Sequence, residues 1–360
     1  MDQIPVISSP AHVGHAPAME IIAGVAIPSI DMVERVDVIE RALVRESGYR
    51  FERGREHGEE PILAVHSAAM VEFLRTAWER HGHLCPEGTD AIVADTFVHA
   101  RLRAGLEPLE DCRQGPPTIG EFTFDTIAAV GPDTFAAARA AVDVALTGVD
   151  EVLAGAPLAL ALCRPPGHHA TRDLFGGGTY LNNAAIAAEA LRRAGLERVA
   201  ILDTDYHSGN GTQSIFYDRG DVLFASIHAS PARAYPFHVG WEEERGVGEG
   251  AGATLNVHLP PDTGGADYLG LLAPVLARIA DFEPQVLVVS LGFDTYVDDP
   301  FDGGLTIGDY GEIGRAIGEL RLPTLAVLEG GYNLEGLGAG LAAWMEGAGS
   351  ARATPVAESS

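Results

Sequence analysis

Five short aliphatic runs constrain this chain more than any other feature: PLALALC (157–163), RVAILD (198–203), DVLFASI (221–227), QVLVVSL (285–291) and PTLAVLE (323–329). They are continuous rather than alternating, so both faces of each strand must be buried. That pattern belongs to a parallel sheet covered by helices on each side. Helix-like stretches fall between and around them at 132–149, 182–195, 267–282, 308–320 and 335–347. The N-terminal third reads differently, with helical candidates at 32–46, 66–80 and 89–104 joined by Gly- and Pro-rich segments. Neither a linker nor a repeat divides the chain. The expectation is one α/β domain of three layers over residues 1–348, a mainly parallel sheet flanked by helices, with a disordered tail GSARATPVAESS at 349–360.

Open parallel sheets bind their ligands beyond the carboxyl ends of the strands. Here those ends carry the unusual residues: RPPGHHA, DTDYHSGNG, HAS, GFDTYVDDPF and GGYN follow the five runs in turn. In ILDTDYHSGNG, alternation sends Asp203, Asp205 and His207 to one face of an extended segment. An isolated stretch of this kind is commonly a polar turn that caps a strand. Two carboxylates and an imidazole on one face otherwise repel, share a proton or bind a cation, and the convergence of five polar strand ends favours the last.

Asp294 arrives from a separate strand end. Together with Asp205 and His207 it makes a set of two carboxylates and one imidazole. Such a set leaves coordination positions open, as a catalytic zinc or ferrous ion requires. Asp203 can instead hold an imidazole by accepting its ring N–H, and His168 and His169 supply imidazoles. Tyr332, on a glycine-flanked loop, can offer a phenol to an oxyanion. Combined, these parts describe metal-assisted hydrolysis, with a histidine taking a proton and returning it to a leaving amine.

Composition removes other classes. All 24 basic residues are arginines, which excludes a Schiff-base lysine and a P-loop lysine. A net charge of −27 repels nucleic acid and attracts cations. Cys85, Cys112 and Cys163 lack the paired spacing of a disulfide framework or a thiolate site. There is neither a secretory pattern at the start nor an apolar run of membrane-spanning length, so no membrane partner is expected and the cytoplasm is the default compartment.

The blocks RPPGHHA, YLNNAAIAA, LDTDYHSGNGTQSIF, SLGFDTYVDDP and LEGGYN resemble the signature blocks of the histone deacetylase superfamily over about residues 157–345. Weaker likeness, in MVERVDVIERAL and FLRTAWER, extends toward the N-terminus. Within the superfamily the chain is most similar to bacterial acetylpolyamine amidohydrolases and class II-type deacetylases. The resemblance implies an arginase–deacetylase fold and one zinc ion on Asp205, His207 and Asp294. It implies His169 as general base and acid with Asn210 as its partner, His168 as an electrostatic partner held by Asp203, and Tyr332 as oxyanion donor. It further implies a structural potassium ion near Asp203, Asp205, His207 and Ser226, an acyl tunnel walled by Tyr235, substrate contact at Gly178 and Gly330, and a homodimer.

Two departures bear on the substrate. In FGGGTYLNN, Gly178 stands where the family usually has Phe or Tyr, and AHVGHAPAMEII lacks the usual His-Pro-Glu pattern. A wider entrance suits something bulkier than a linear acetylated amine, whereas an insertion-like stretch at 105–125 would narrow the rim. GVGEGAG (246–252) precedes the strand-like TLNVHL and so fails the context of a dinucleotide site, and WEEERG (241–246) reads as a solvated charge run. The expected function is a zinc-dependent deacetylase acting on a small amide, an acetylpolyamine first of all. The alternatives are acetyl-lysine on proteins or a bulkier small-molecule amide.

Overall fold

The computed structural model describes residues 3–353 apart from 23, 47, 86–88 and 100–118. The chain starts with β1 (Ile4–Ser8), a hairpin of β2 (Met19–Ile22) and β3 (Val25–Pro28), α1 (Glu34–Leu43) and β4 (Tyr49–Arg53). Helices α2 (Glu60–Val65), α3 (Ala68–His81), α4 (Ile119–Phe122) and α5 (Thr134–Leu153) follow. A regular alternation then begins: β5 (Leu158–Ala161), α6 (Asn183–Arg193), β6 (Val199–Asp203), α7 (Asn210–Phe216) and β7 (Val222–Ala229). It continues through β8 (Thr254–Leu259), α8 (Gly265–Phe282), β9 (Val286–Leu291), α9 (Ile307–Gly318), β10 (Thr324–Leu328) and α10 (Leu334–Ala353).

Eight strands form one parallel sheet in the order β4-β1-β5-β10-β9-β6-β7-β8. The five runs expected as strands are β5, β6, β7, β9 and β10, and they occupy neighbouring places in its centre. Alternate residues of each strand enter opposite cores. Ala159, Ile201 and Val288 pack with α3, α5 and α6 on one face. Leu160, Leu202 and Val289 pack with α1, α8, α9 and α10 on the other. The three-layer α/β architecture expected from the sequence is therefore the one adopted, and residues on both faces of the strands are apolar because both faces are covered.

Several boundaries differ from expectation. Residues 89–99, part of a helix expected at 89–104, are irregular rather than helical, and Ile92 forms an antiparallel bridge with Val130. There the β-branched residues find a pairing partner, and tertiary contact overrides helical spacing. Strands β1 and β4 were not anticipated: IPVIS contains a proline, and YRFER is an exposed edge strand without an apolar run. Helix α10 continues to Ala353, so the boundary expected at 348 falls inside it, and residues 354–360 lie outside the described residues. The insertion expected at 105–125 is described only from 119 onward.

Helices α9 and α10 approach closely enough for glycine to be required. A Cβ on Gly314 would lie 2.2 Å from the carbonyl oxygen of Trp344, whose own side chain is fully buried. Separating the two backbones disturbs a packed core, at a typical cost of about 1–3 kcal/mol. Gly314→Ala should accordingly lower the urea midpoint without changing the slope of the transition. An unchanged midpoint would show that the helices separate freely.

Candidate active site

The central strands deliver their carboxyl ends to one cavity of about 580 Å³. At its base, candidate ligand atoms of Asp205, His207 and Asp294 all lie within 4.8 Å of one another, and the three residues are buried. The turn after β6 arranges two of them. Asp203 Oδ1 accepts the Asp205 N–H at 3.1 Å, and Asp205 Oδ1 accepts the His207 N–H at 2.9 Å. Asp294, in the loop after β9, accepts the Tyr206 N–H at 2.8 Å. These backbone bonds turn the carboxylates toward each other. The glycines make room: a Cβ at Gly292 or Gly330 would sit 2.4 or 2.5 Å from Asp205 Oδ2.

Like charges buried together are costly, and the titration of the group reflects it. Burial, then the neighbouring charge of Asp205, pushes the Asp294 carboxyl up to about 7. Burial alone would lower His207, but its bonds to Asp205 and Asp294 raise it to about 9. Its Nδ1 lies 3.2 Å from Asp205 Oδ1 and 3.0 Å from Asp294 Oδ2. Two carboxylate oxygens and an imidazole nitrogen converging without a buried Lys or Arg between them fit a divalent cation.

Two histidines stand beside this triad with ring centroids 4.0 Å apart, yet their environments differ. His168 Nδ1 is 3.0 Å from Asp203 Oδ2. Burial would lower its pKa, but the carboxylates of Asp205 and Asp203 override that and raise it to about 10. His169 Nδ1 is 2.7 Å from Asn210 Oδ1. A carbonyl oxygen only accepts, so Nδ1 carries the hydrogen and Nε2 keeps its lone pair. Burial, then the positive charges of His168 and His207, pushes His169 well below the usual imidazole range. The two adjacent rings are thus shifted in opposite directions, one by carboxylates and the other by burial and charged neighbours.

Tyr332 also faces the cavity. The Arg35 guanidinium lies 4.9 Å from its ring centroid, and Arg35 Nε donates to the Gly331 carbonyl at 2.6 Å. Burial holds the phenol well above its ordinary range against the pull of the Arg35 charge, so it remains an O–H donor. Tyr235 packs edge-on to His169 at 4.9 Å, and its hydroxyl donates to Asp125 Oδ2 at 2.6 Å. Gly178 lines the cavity with φ +71°, and a Cβ there would meet nothing within 4 Å, so that wall is open.

Gly330, expected at the substrate, lies against the triad: its N–H donates to Asp205 Oδ2 at 2.8 Å, and its carbonyl accepts from Phe293 N at 3.1 Å. Ser226, expected at a potassium ion, sits beside Asp203 in the sheet register, with its hydroxyl 2.7 Å from His228 Nδ1. In WEEERG, Glu242 and Glu243 are exposed, while Glu244 accepts from Gln213 and from the backbone of Gly240 and Trp241.

Sequence reading passed over several supporting residues. Glu329 Oε2 accepts the N–H groups of Gly167 and His168 at 2.7 and 3.1 Å, fixing the turn that carries the histidines. A carboxylate closing the apolar run PTLAVLE was the available signal. Asp31 binds both Arg35 and Arg164, all buried. Asp31 and Arg35 are four residues apart, but Arg164 joins them from 133 residues away, so the trio as a whole has no local mark.

Fold and site together define a class: hydrolases of three-layer α/β architecture with an Asp-His-Asp metal triad and paired histidines at the strand ends. Residues 30–348 match the histone deacetylase domain. The chain is 41% identical over 342 residues to acetylpolyamine amidohydrolase 1 of Pseudomonas aeruginosa, covering 92% of this chain and 95% of that protein. It is 39% identical to the acetylpolyamine amidohydrolase of Mycoplana ramosa, covering 95% and 98%. The crystal structure of acetylpolyamine aminohydrolase from Burkholderia pseudomallei superposes with a TM-score of 0.90 at 37% identity, over 97% of this chain and 99% of that one. The chain belongs to the histone deacetylase family.

If Asp205, His207 and Asp294 are the ligands, removing one leaves too few to hold an ion against dialysis. Asp205→Ala should lose the divalent metal that the unaltered protein retains, as measured by elemental analysis. Full metal content in that variant would remove Asp205 from the ligand set.

Proposed function

We propose that this protein is a zinc-dependent amidohydrolase that deacetylates a small cationic amine, an acetylpolyamine first of all. The observation that carries the reading is the electrostatic asymmetry of His168 and His169 beside a three-ligand metal triad, at the base of a cavity rich in carboxylates.

Zinc held by Asp205, His207 and Asp294 supplies Lewis-acid polarisation of the scissile carbonyl and activation of water. The remaining work falls to side chains. His169 Nε2 takes a proton from the attacking water; Asn210 holds the tautomer that makes this feasible. The same imidazolium then returns the proton to the leaving nitrogen. His168, kept cationic by Asp203 and Asp205, adds fixed positive charge where the intermediate is negative. The Tyr332 phenol donates to the developing oxyanion.

Substrate class rests on the cavity's charge. Glu20, Asp125 and Asp302 line it along with Arg233, while Asp31, also in the lining, is neutralised by Arg35 and Arg164. A net charge of −27 adds a long-range attraction for cations. The names of the relatives agree with this choice. A potassium ion near Asp203, Asp205, His207 and Ser226, a homodimer and a cytoplasmic location also belong to this reading. The family resemblance supports the first two. No described helix is long and apolar enough to cross a membrane.

Two measurements test it. Tyr332→Phe deletes one hydroxyl and spares the metal ligands, so metal content should stay while kcat falls about 10²–10³-fold. A near-normal kcat would refute the oxyanion role. Acetylputrescine or acetylspermidine should show higher kcat/KM than an acetyl-lysine peptide, and the value should fall with added salt. Faster turnover of a neutral aryl amide, without salt dependence, would assign substrate choice to the open wall at Gly178.

A further inference from the structure

Tyr332 follows Gly330 and Gly331, the latter at φ +112°. A phenol on so permissive a stretch is an imprecise donor unless something outside the stretch fixes the backbone. Arg35 holds the Gly331 carbonyl from one side, and a buried carboxylate from a different loop holds the two residues that follow. Asp299 Oδ2 accepts the Tyr332 N–H at 2.7 Å and the Asn333 N–H at 2.9 Å. Asn333 reciprocates, its Nδ2 donating to the Asp298 carbonyl at 2.7 Å. The Asp299 backbone is itself held in a turn, its N–H donating to Tyr296 at 3.0 Å.

Stability does not account for this carboxylate. Asp299 is 8% exposed, and its Oδ1 is buried without a hydrogen-bond partner, an arrangement that costs folding free energy. Its satisfied oxygen is devoted to the two amides at and after the phenol-bearing residue. The loop after β9 that carries Asp299 also carries Asp294 and Phe301, and the Phe301 ring lies 5.9 Å from that of Tyr332. One loop thus holds a metal ligand, a packing surface for the Tyr332 ring and the anchor of its backbone.

We propose that Asp299 is the positioning residue for Tyr332: by accepting two successive backbone N–H groups, it sets the phenol in register with the metal triad. It acts through Tyr332 and touches no reacting atom. The inference rests on the reading of Tyr332 as oxyanion donor.

Positioning through a single partner predicts strong coupling. Asp299→Ala should lower kcat about 10–100-fold with KM and metal content little changed, the scale of a donor displaced by about an ångström. In a Tyr332→Phe background the same substitution should lower kcat less than about threefold, because the hydroxyl it positions is gone. Asp299→Asn keeps an oxygen acceptor of the same reach and should stay within about threefold of the parent. Asp299→Glu keeps the charge, moves the acceptor by a methylene, and should resemble the Ala variant. The Asn–Glu comparison decides the matter even where the Ala variant does not fold. A normal kcat in Tyr332→Phe would overturn the oxyanion role and this proposal with it. A loss in Tyr332→Phe with Asp299 effects that are absent or simply additive would overturn the positioning role alone. Better activity in Asp299→Glu than in Asp299→Asn would do the same, assigning the effect to charge.

Discussion

Two carboxylates, Asp205 and Asp294, are forced together in the interior, and the rest of the site answers to their repulsion. Each is turned inward by a backbone N–H, from His207 or from Tyr206. Their approach is possible only because Gly292 and Gly330 have no side chains. The folded chain therefore spends packing energy to hold a strongly negative point below a cavity. A divalent cation is the natural relief for it, since a buried unpaired carboxylate is among the costliest groups in a protein.

That negative point also separates the two adjacent histidines. His168 faces Asp203 and Asp205 and is drawn to about 10, whereas His169 faces Asn210, a neutral acceptor, and is depressed by burial and by its charged neighbour. Residues consecutive in sequence are shifted in opposite directions because one has a carboxylate partner and the other an amide. The proposed base role of His169 rests on this division.

Much of this could be read before any coordinates. Val, Leu and Ile runs without alternation announced β5, β6, β7, β9 and β10, since only a doubly covered sheet tolerates strands apolar on both faces. The polar residues that end those runs had to collect at one rim of a parallel sheet, so Asp205, His207, His168, His169, Asp294 and Tyr332 stood out together. Strands β1 and β4 were not legible: one contains proline and the other lies at an exposed edge, so neither shows the buried pattern. Within the helix expected at 89–104, residues 89–99 are not helical and Ile92 bridges Val130, a contact between residues that local periodicity does not relate.

The sequence by itself determined the layer architecture and the chemical inventory, because strand burial and side-chain identity are local properties. Which group does what was decided only by the tertiary structure. That the Gly330 N–H donates to Asp205 depends on a contact spanning 125 residues. That Asp299 anchors Tyr332, and Glu329 the turn of His168, depends on pairings between separate loops. Hydrogen bonding and titration are set by what lies within a few ångströms, and in a parallel sheet those neighbours come from strands far apart along the chain.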